Sequence, residues 1–168
     1  MPVSFRLARA TVFDAPAVAA FQTMVWGQTY SGVIAEPLLA ATSIDRTSRW
    51  TDRISTGERE VTIARIRGRT VGVASTSRGA PPLNGLPPTE LCTFYLHSEV
   101  HGTGLAAHLL HEAIGVEDAH LLVFEVNERA RRFYERHGFA AFGEPQFDEG
   151  TGLMERRMMR SRRRPGES

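Results

Sequence analysis

A short run of mixed polar and apolar positions over residues 5–10 reads as a first strand. Val18, Phe21 and Val25 recur at helical spacing behind Asp14, a helix N-cap type, and Pro16, placed where a first turn needs no N–H. A second helical stretch over residues 36–54 is interrupted near Thr42 and Ser43. Two β-rich runs, residues 60–66 and 70–75, flank Arg67-Gly68-Arg69 and read as a hairpin. Residues 79–88 hold four prolines and two glycines and must form a loop.

Strand character returns over residues 89–97, followed by small residues at 102–104 and a helix carrying Leu105, Leu109, Ala113 and Ile114 on one side. Gly115 stops that helix. Residues 120–126 are almost wholly apolar, the mark of a strand buried on both faces. A helix over residues 128–137 comes next, with Gly138 as its left-handed C-cap. Weak strands at 140–142 and 153–159 complete the chain. The strand–helix–strand passage implies parallel pairing and the early hairpin antiparallel pairing, so a mixed α/β sheet is expected.

At 168 residues, with 42% hydrophobic and 23% charged positions, the chain suits one globular domain. It divides into a domain over residues 1–160 and a basic tail over 161–168. A net charge of +1 gives no reason to expect a nucleic-acid or membrane partner. All 20 basic residues are arginine, which reads as codon preference rather than phosphate chemistry. The single Cys92 cannot form an intramolecular disulfide and fits a reducing compartment; with no signal core or membrane-length apolar run, a cytoplasmic location is expected.

Two constellations carry candidate chemistry. His101-Gly102-Thr103-Gly104-Leu105-Ala106 joins a strand to an amphipathic helix. Small residues there let backbone N–H groups and the helix dipole approach a pyrophosphate, although the same residues also suit a plain tight turn. Asn127 and Tyr134 lie seven positions apart, about two turns or ~10 Å along one helical face. An amide arm could be read by the asparagine and a leaving group protonated by the phenol; equally, Asn127 caps the helix and Tyr134 packs.

The glycine turn resembles the pyrophosphate loop of GNAT superfamily N-acetyltransferases, in which Arg or Gln, two variable residues, Gly, one variable residue and Gly or Ala follow in order. Gly104 and Ala106 fill the small positions; His101 departs from the first. Residues 127–139 are similar to the family's Asn-x-x-Ala-x-x-Phe-Tyr-Glu-x-x-Gly-Phe signature, with every fixed position present. Trp26-Gly27-Gln28-Thr29-Tyr30-Ser31-Gly32 is like a segment of one branch, and Glu155-Arg156-Arg157 like the last strand. The resemblance implies a mostly antiparallel sheet flanked by helices, with a splayed central parallel strand pair. It implies acetyl-CoA as co-substrate, no metal, and attack by an amine within a ternary complex. Backbone groups of Phe94, Tyr95 and Leu96 would then hold the pantetheine arm and residues 101–106 the pyrophosphate. Asn127 would bind the arm, and Tyr134 would protonate the CoA thiolate.

A neutral amine must attack, so a base is needed. Glu90, acting through water, is the candidate, with Glu125 as runner-up; each could equally be a structural carboxylate. A backbone N–H around Leu96 would meet charge on the acetyl oxygen. Cys92 has no histidine spaced to activate it, and His108 and His111 lack a further ligand for a metal. Trp26 and Tyr30 could wall the acceptor site or belong to the core. The acceptor is a small-molecule or peptide amine of unidentified structure, and a homodimer is possible by frequency alone. The alternative function is an acyl-CoA-binding sensor or regulatory module without turnover.

Overall fold

A computed structural model describes residues 3–79 and 85–162. The first strand, β1 (Arg6–Arg9), leads through a 3-10 turn into α1 (Ala15–Tyr30). Asp14 holds the N-cap position, but its carboxylate turns back to accept from the Thr11 amide at 2.8 Å and pairs with Arg65 at 2.9 Å. It closes the preceding turn rather than capping α1. The second helical stretch is two helices, α2 (Glu36–Thr42) and α3 (Arg46–Ser55), separated where Asp45 adopts a left-handed φ of 57°. Val18, Phe21 and Val25 are buried as their spacing predicts, against Trp50 of α3.

β2 (Glu60–Ile66) and β3 (Arg69–Ser77) form the hairpin. Its turn is only Arg67 and Gly68, both at positive φ, so Arg69 joins the strand. β4 (Glu90–Leu96), α4 (Leu105–Ile114), β5 (Ala119–Phe124) and α5 (Glu128–Arg136) follow as expected, with Gly138 at φ 90° after the last helix. The chain then adds β6 (Ala140–Ala141), β7 (Gln146–Asp148) and β8 (Leu153–Arg160). The sequence pattern missed β7, whose three residues are too few to show a period. Arg160 ends β8 with its guanidinium donating to the Glu117 and Gly115 carbonyls. Residues 80–84 of the proline-rich loop and 163–168 of the basic tail lie outside the described residues.

The strands form one sheet in the order β1-β2-β3-β4-β5-β8-β6, with β7 also on β8. Every described pairing is antiparallel except β4 with β5. One face packs under α1 and α3, the other under α4 and α5. Gly72 in β3 permits the second contact: a Cβ there would stand 3.0 Å from Leu96 and 3.2 Å from Leu109.

Two features of β4 create the site. Ser75 pairs with Thr93 and Thr76 with Leu91, leaving Cys92 bulged out of the ladder. The extra residue changes the parity of the strand. Leu91, Phe94 and Leu96 consequently all pack toward α4 and α5, while Tyr95 packs toward α1. The parallel pairing with β5 runs only through Glu90–His120 and Leu91–Leu121, and beyond the bulge the two strands part.

Candidate active site

Where β4 and β5 part, each presents an unpaired inner edge. The His97 amide donates to Val71 of β3 at 2.8 Å. By the alternation of an antiparallel ladder, the Tyr95 amide also faces β3, and those of Phe94 and Leu96 face the gap. On the other side, His120 donates to Thr89 at 3.1 Å, so the same alternation turns the Leu122 amide inward. A gap with main-chain groups on both edges can accept an extended amide chain as an added strand. Tyr95, whose backbone was expected to hold the arm, turns its amide toward β3 by this alternation and lines the cavity.

At the far end of β4 the chain turns through His101–Gly104 into α4. Gly102 and Gly104 have φ of 77° and 85°, a left-handed backbone that suits glycine. Thr103 donates to the Val100 carbonyl at 2.6 Å, and the Leu105 amide points back to its hydroxyl at 3.4 Å. No hydrogen bond to a described residue engages the amides of Gly102, Gly104 or Ala106. They form a donor-rich helix N-terminus, the environment that holds an anion. Leu105 itself is core, 1% exposed, so only its main chain belongs to this corner.

Helix α5 closes the gap. Asn127 accepts from the Ala130 amide at 3.2 Å, as an N-cap, and donates to the Tyr30 hydroxyl at 3.2 Å. The capping role and the contact with the cavity therefore coexist. Tyr134 is buried among Phe94, Phe133 and Phe139, with centroids 6.1, 5.6 and 5.8 Å away. Its hydroxyl makes no hydrogen bond to a described residue, and burial pushes its pKa above the usual phenol value, keeping it protonated.

These parts enclose a cavity of about 480 Å³ that passes through the sheet. Toward α4 and α5 it is walled by Phe94, Leu96, His101, Gly102, Ala106 and Tyr134. Toward α1 it is walled by Trp26, Tyr30, Tyr95, Leu122 and Phe124. Trp26 and Tyr30 are thus cavity wall and core edge at once; the Trp26 indole N–H is buried without a hydrogen-bond partner among the described residues, although the Tyr95 hydroxyl lies nearby. Behind it, the buried Arg46 guanidinium lies 5.3 Å from the Trp26 ring centre.

Glu90 stands at the cavity mouth, 4.0 Å from the Arg157 guanidinium, which reaches His120 Nδ1 at 2.7 Å. Burial holds His120 below its usual pKa, with Glu90 opposing it and Arg157 adding to it. Glu125 does not line the cavity and is tied to Arg156 at 2.8 Å, a structural ion pair. Cys92 lines the mouth, but burial pushes its thiol up to about 11, and a protonated thiol is a poor nucleophile. His108 packs on Phe5 at 5.4 Å.

Four charged residues of the wall escaped the sequence reading: Arg59, Arg129, Arg136 and Glu155. Arg129 and Arg136 are seven apart on α5, and no ion pair with a described residue engages either. Arg129 lies close enough to His101 to help depress its pKa, after burial. The helical spacing of Arg129, Phe133 and Arg136 was a readable signal. Glu155 had none, because its place depends on the partner of β8.

A family model described as an acetyltransferase (GNAT) domain matches residues 29–159. An uncharacterised N-acetyltransferase of Mycobacterium tuberculosis is 34% identical over 110 residues, 62% of this chain and 67% of the relative. Among solved structures, the PaiA N-acetyltransferase of Thermoplasma acidophilum in complex with coenzyme A superposes with a TM-score of 0.71 at 18% identity, covering 94% of this chain and 98% of that one. A Corynebacterium glutamicum protein described as histone acetyltransferase HPA2 and related acetyltransferase gives 0.70 at 24% identity, over 98% and 99%.

Proposed function

The chain belongs to the GNAT acetyltransferase family, and from that premise we propose that it transfers the acetyl group of acetyl-CoA to a primary amine by direct attack in a ternary complex. The observation that carries this reading is the cavity between β4 and β5, open to side chains from both faces of the sheet. Two substrates entering from opposite faces can meet without a covalent enzyme adduct.

Acetyl-CoA supplies an activated acetyl group on a thiol leaving group. The inward amides of Phe94 and Leu96 suit its pantetheine arm, which carries amides of its own. Unpaired donors at Gly102, Gly104 and Ala106 suit the pyrophosphate, with His101 beside them and Arg129 supplying a full positive charge nearby. The small residues leave open space there: a Cβ at Gly102 or Gly104 would meet nothing within 4 Å. Asn127 borders the arm's path, although its own hydrogen bonds make its first role the placement of α5 and Tyr30.

In this mechanism the Leu96 amide faces the charge developing on the acetyl oxygen, and Tyr134 donates its proton to the departing thiolate. The place of Tyr134 in the cavity wall supports the acid role, with the phenol carrying its proton at neutral pH. Glu90 accepts the ammonium proton through water at the mouth, with the Arg157 guanidinium 4.0 Å away. Thiol release on mixing acetyl-CoA with a panel of amines tests the assignment. No release from any amine, with acetyl-CoA binding intact, would favour a binding module instead.

A further inference from the structure

Glu155 of β8 stands opposite Phe124 of β5. The Glu125 amide donates to Met154 at 2.9 Å, so by alternation Phe124 and Glu155 form the close, non-hydrogen-bonded type of pair. Side chains of such a pair rise together, with Cβ atoms roughly 4.5–5.5 Å apart. Both line the cavity. The Phe124 ring meets Trp26 at 5.9 Å and Tyr30 at 5.3 Å, and those two meet each other at 5.2 Å, all edge to face. An aromatic corner therefore adjoins a carboxylate.

That carboxylate is half-buried, and no hydrogen bond or ion pair with a described residue engages it. Burial and the neighbouring Asp148 of β7 raise its pKa, and Arg157 two residues along β8 opposes them. Glu90, by contrast, has the Arg157 guanidinium within 4.0 Å. Arg59, a cation of the cavity wall, acts on Cys92 at the β4 rim. A partly desolvated carboxylate that no cation contacts directly is costly, and a ligand cation would relieve it. Aromatic faces also attract cations and cover apolar carbon.

We propose that Glu155 selects the acceptor, and that the acceptor is a primary ammonium on an apolar body of about ring size. The charge sits at Glu155 and the body lies against Trp26, Tyr30 and Phe124. This rests on the acetyl-transfer reading and deepens it; removal of the proton stays with the mouth, so Glu155 is a specificity residue.

The test measures thiol release by the full chain at saturating acetyl-CoA with 2-phenylethylamine, ethylamine, glutamate and aniline, which is uncharged at neutral pH. The expected order places 2-phenylethylamine first in kcat/KM. Glu155→Gln should raise its KM by roughly tenfold or more, the loss of one charge-assisted contact, with kcat held within about twofold. Aniline should respond little, and Glu155→Asp should recover most of the affinity. Unchanged melting temperature and acetyl-CoA affinity would certify the variants as folded. A KM indifferent to Glu155→Gln, a fall in kcat alone, or ethylamine or glutamate as the best acceptor would overturn the proposal while leaving acetyl transfer standing. Absence of release from every amine would overturn acetyl transfer and this inference with it.

Discussion

Replacing Tyr134 with phenylalanine removes one oxygen and nothing else. The ring keeps its contacts with Phe94, Phe133 and Phe139, and it is only 6% exposed. Because the hydroxyl makes no hydrogen bond to a described residue, its loss should change stability by less than about 1 kcal/mol. The hydrophobic environment even favours the phenyl ring. Acetyl-CoA affinity should also hold, since the inward amides of β4 and the donors of the glycine turn are untouched. Turnover should not hold. A positioned general acid contributes about 10²-fold or more, so kcat should fall by at least that factor, ~2.7 kcal/mol of barrier. Stopped-flow or steady-state thiol release, with calorimetric titration of acetyl-CoA and a thermal melt, separates the outcomes. Burial holds the phenol protonated beyond its usual value of 10.0, so no loss of activity below that pH should trace to Tyr134. Unchanged kcat in the variant would remove Tyr134 as the acid. Equal losses in binding and melting temperature would make it a packing residue.

Further outcomes follow from the same structure. Gly104→Glu should abolish acetyl-CoA binding in a titration, whereas Gly104→Ala should retain it and lose only about 1–2 kcal/mol of stability from the φ of 85°; normal binding by the glutamate variant would move the anion site elsewhere. Arg129→Gln should weaken acetyl-CoA binding by roughly three- to tenfold at low salt, with the difference shrinking as salt rises. An affinity unchanged at every salt concentration would remove Arg129 from the site. Stability should fall on the alkaline side: Cys92 is raised from 9.0 to about 11 and Tyr30 from 10.0 to about 12. The unfolded chain releases these protons first, so stability is intact below pH 9.0 and is lost as pH climbs through the folded values. Tyr30→Phe should flatten the upper part of that decline in urea melts, and an unaltered slope would refute the burial of its ionisation.

Much of the architecture was legible because local chemistry repeats with the period of its element. The apolar face of α1, the interruption between α2 and α3, the buried run of β5 and the glycine after α5 each announced themselves. The glycine turn and the Asn127–Tyr134 face were legible for a similar reason: close-set residues on one turn or helix keep their spacing whatever surrounds them. Glu90 could be singled out as a candidate base because it begins the central strand, and it lines the cavity.

The gap itself was decided by tertiary pairing. It needs Cys92 to drop out of register with β3 and β4 to part from β5 after Leu91, and a bulge leaves no trace in residue type. The same holds for Glu155, whose nearness to Phe124 comes from the β5–β8 register across 31 residues of chain, and for the Tyr30–Asn127 contact across 97. Periodicity reports which side of its own element a residue occupies. Which other element lies opposite is set by the packing of the whole sheet, and a site assembled from several strands and helices exists only once that packing is made.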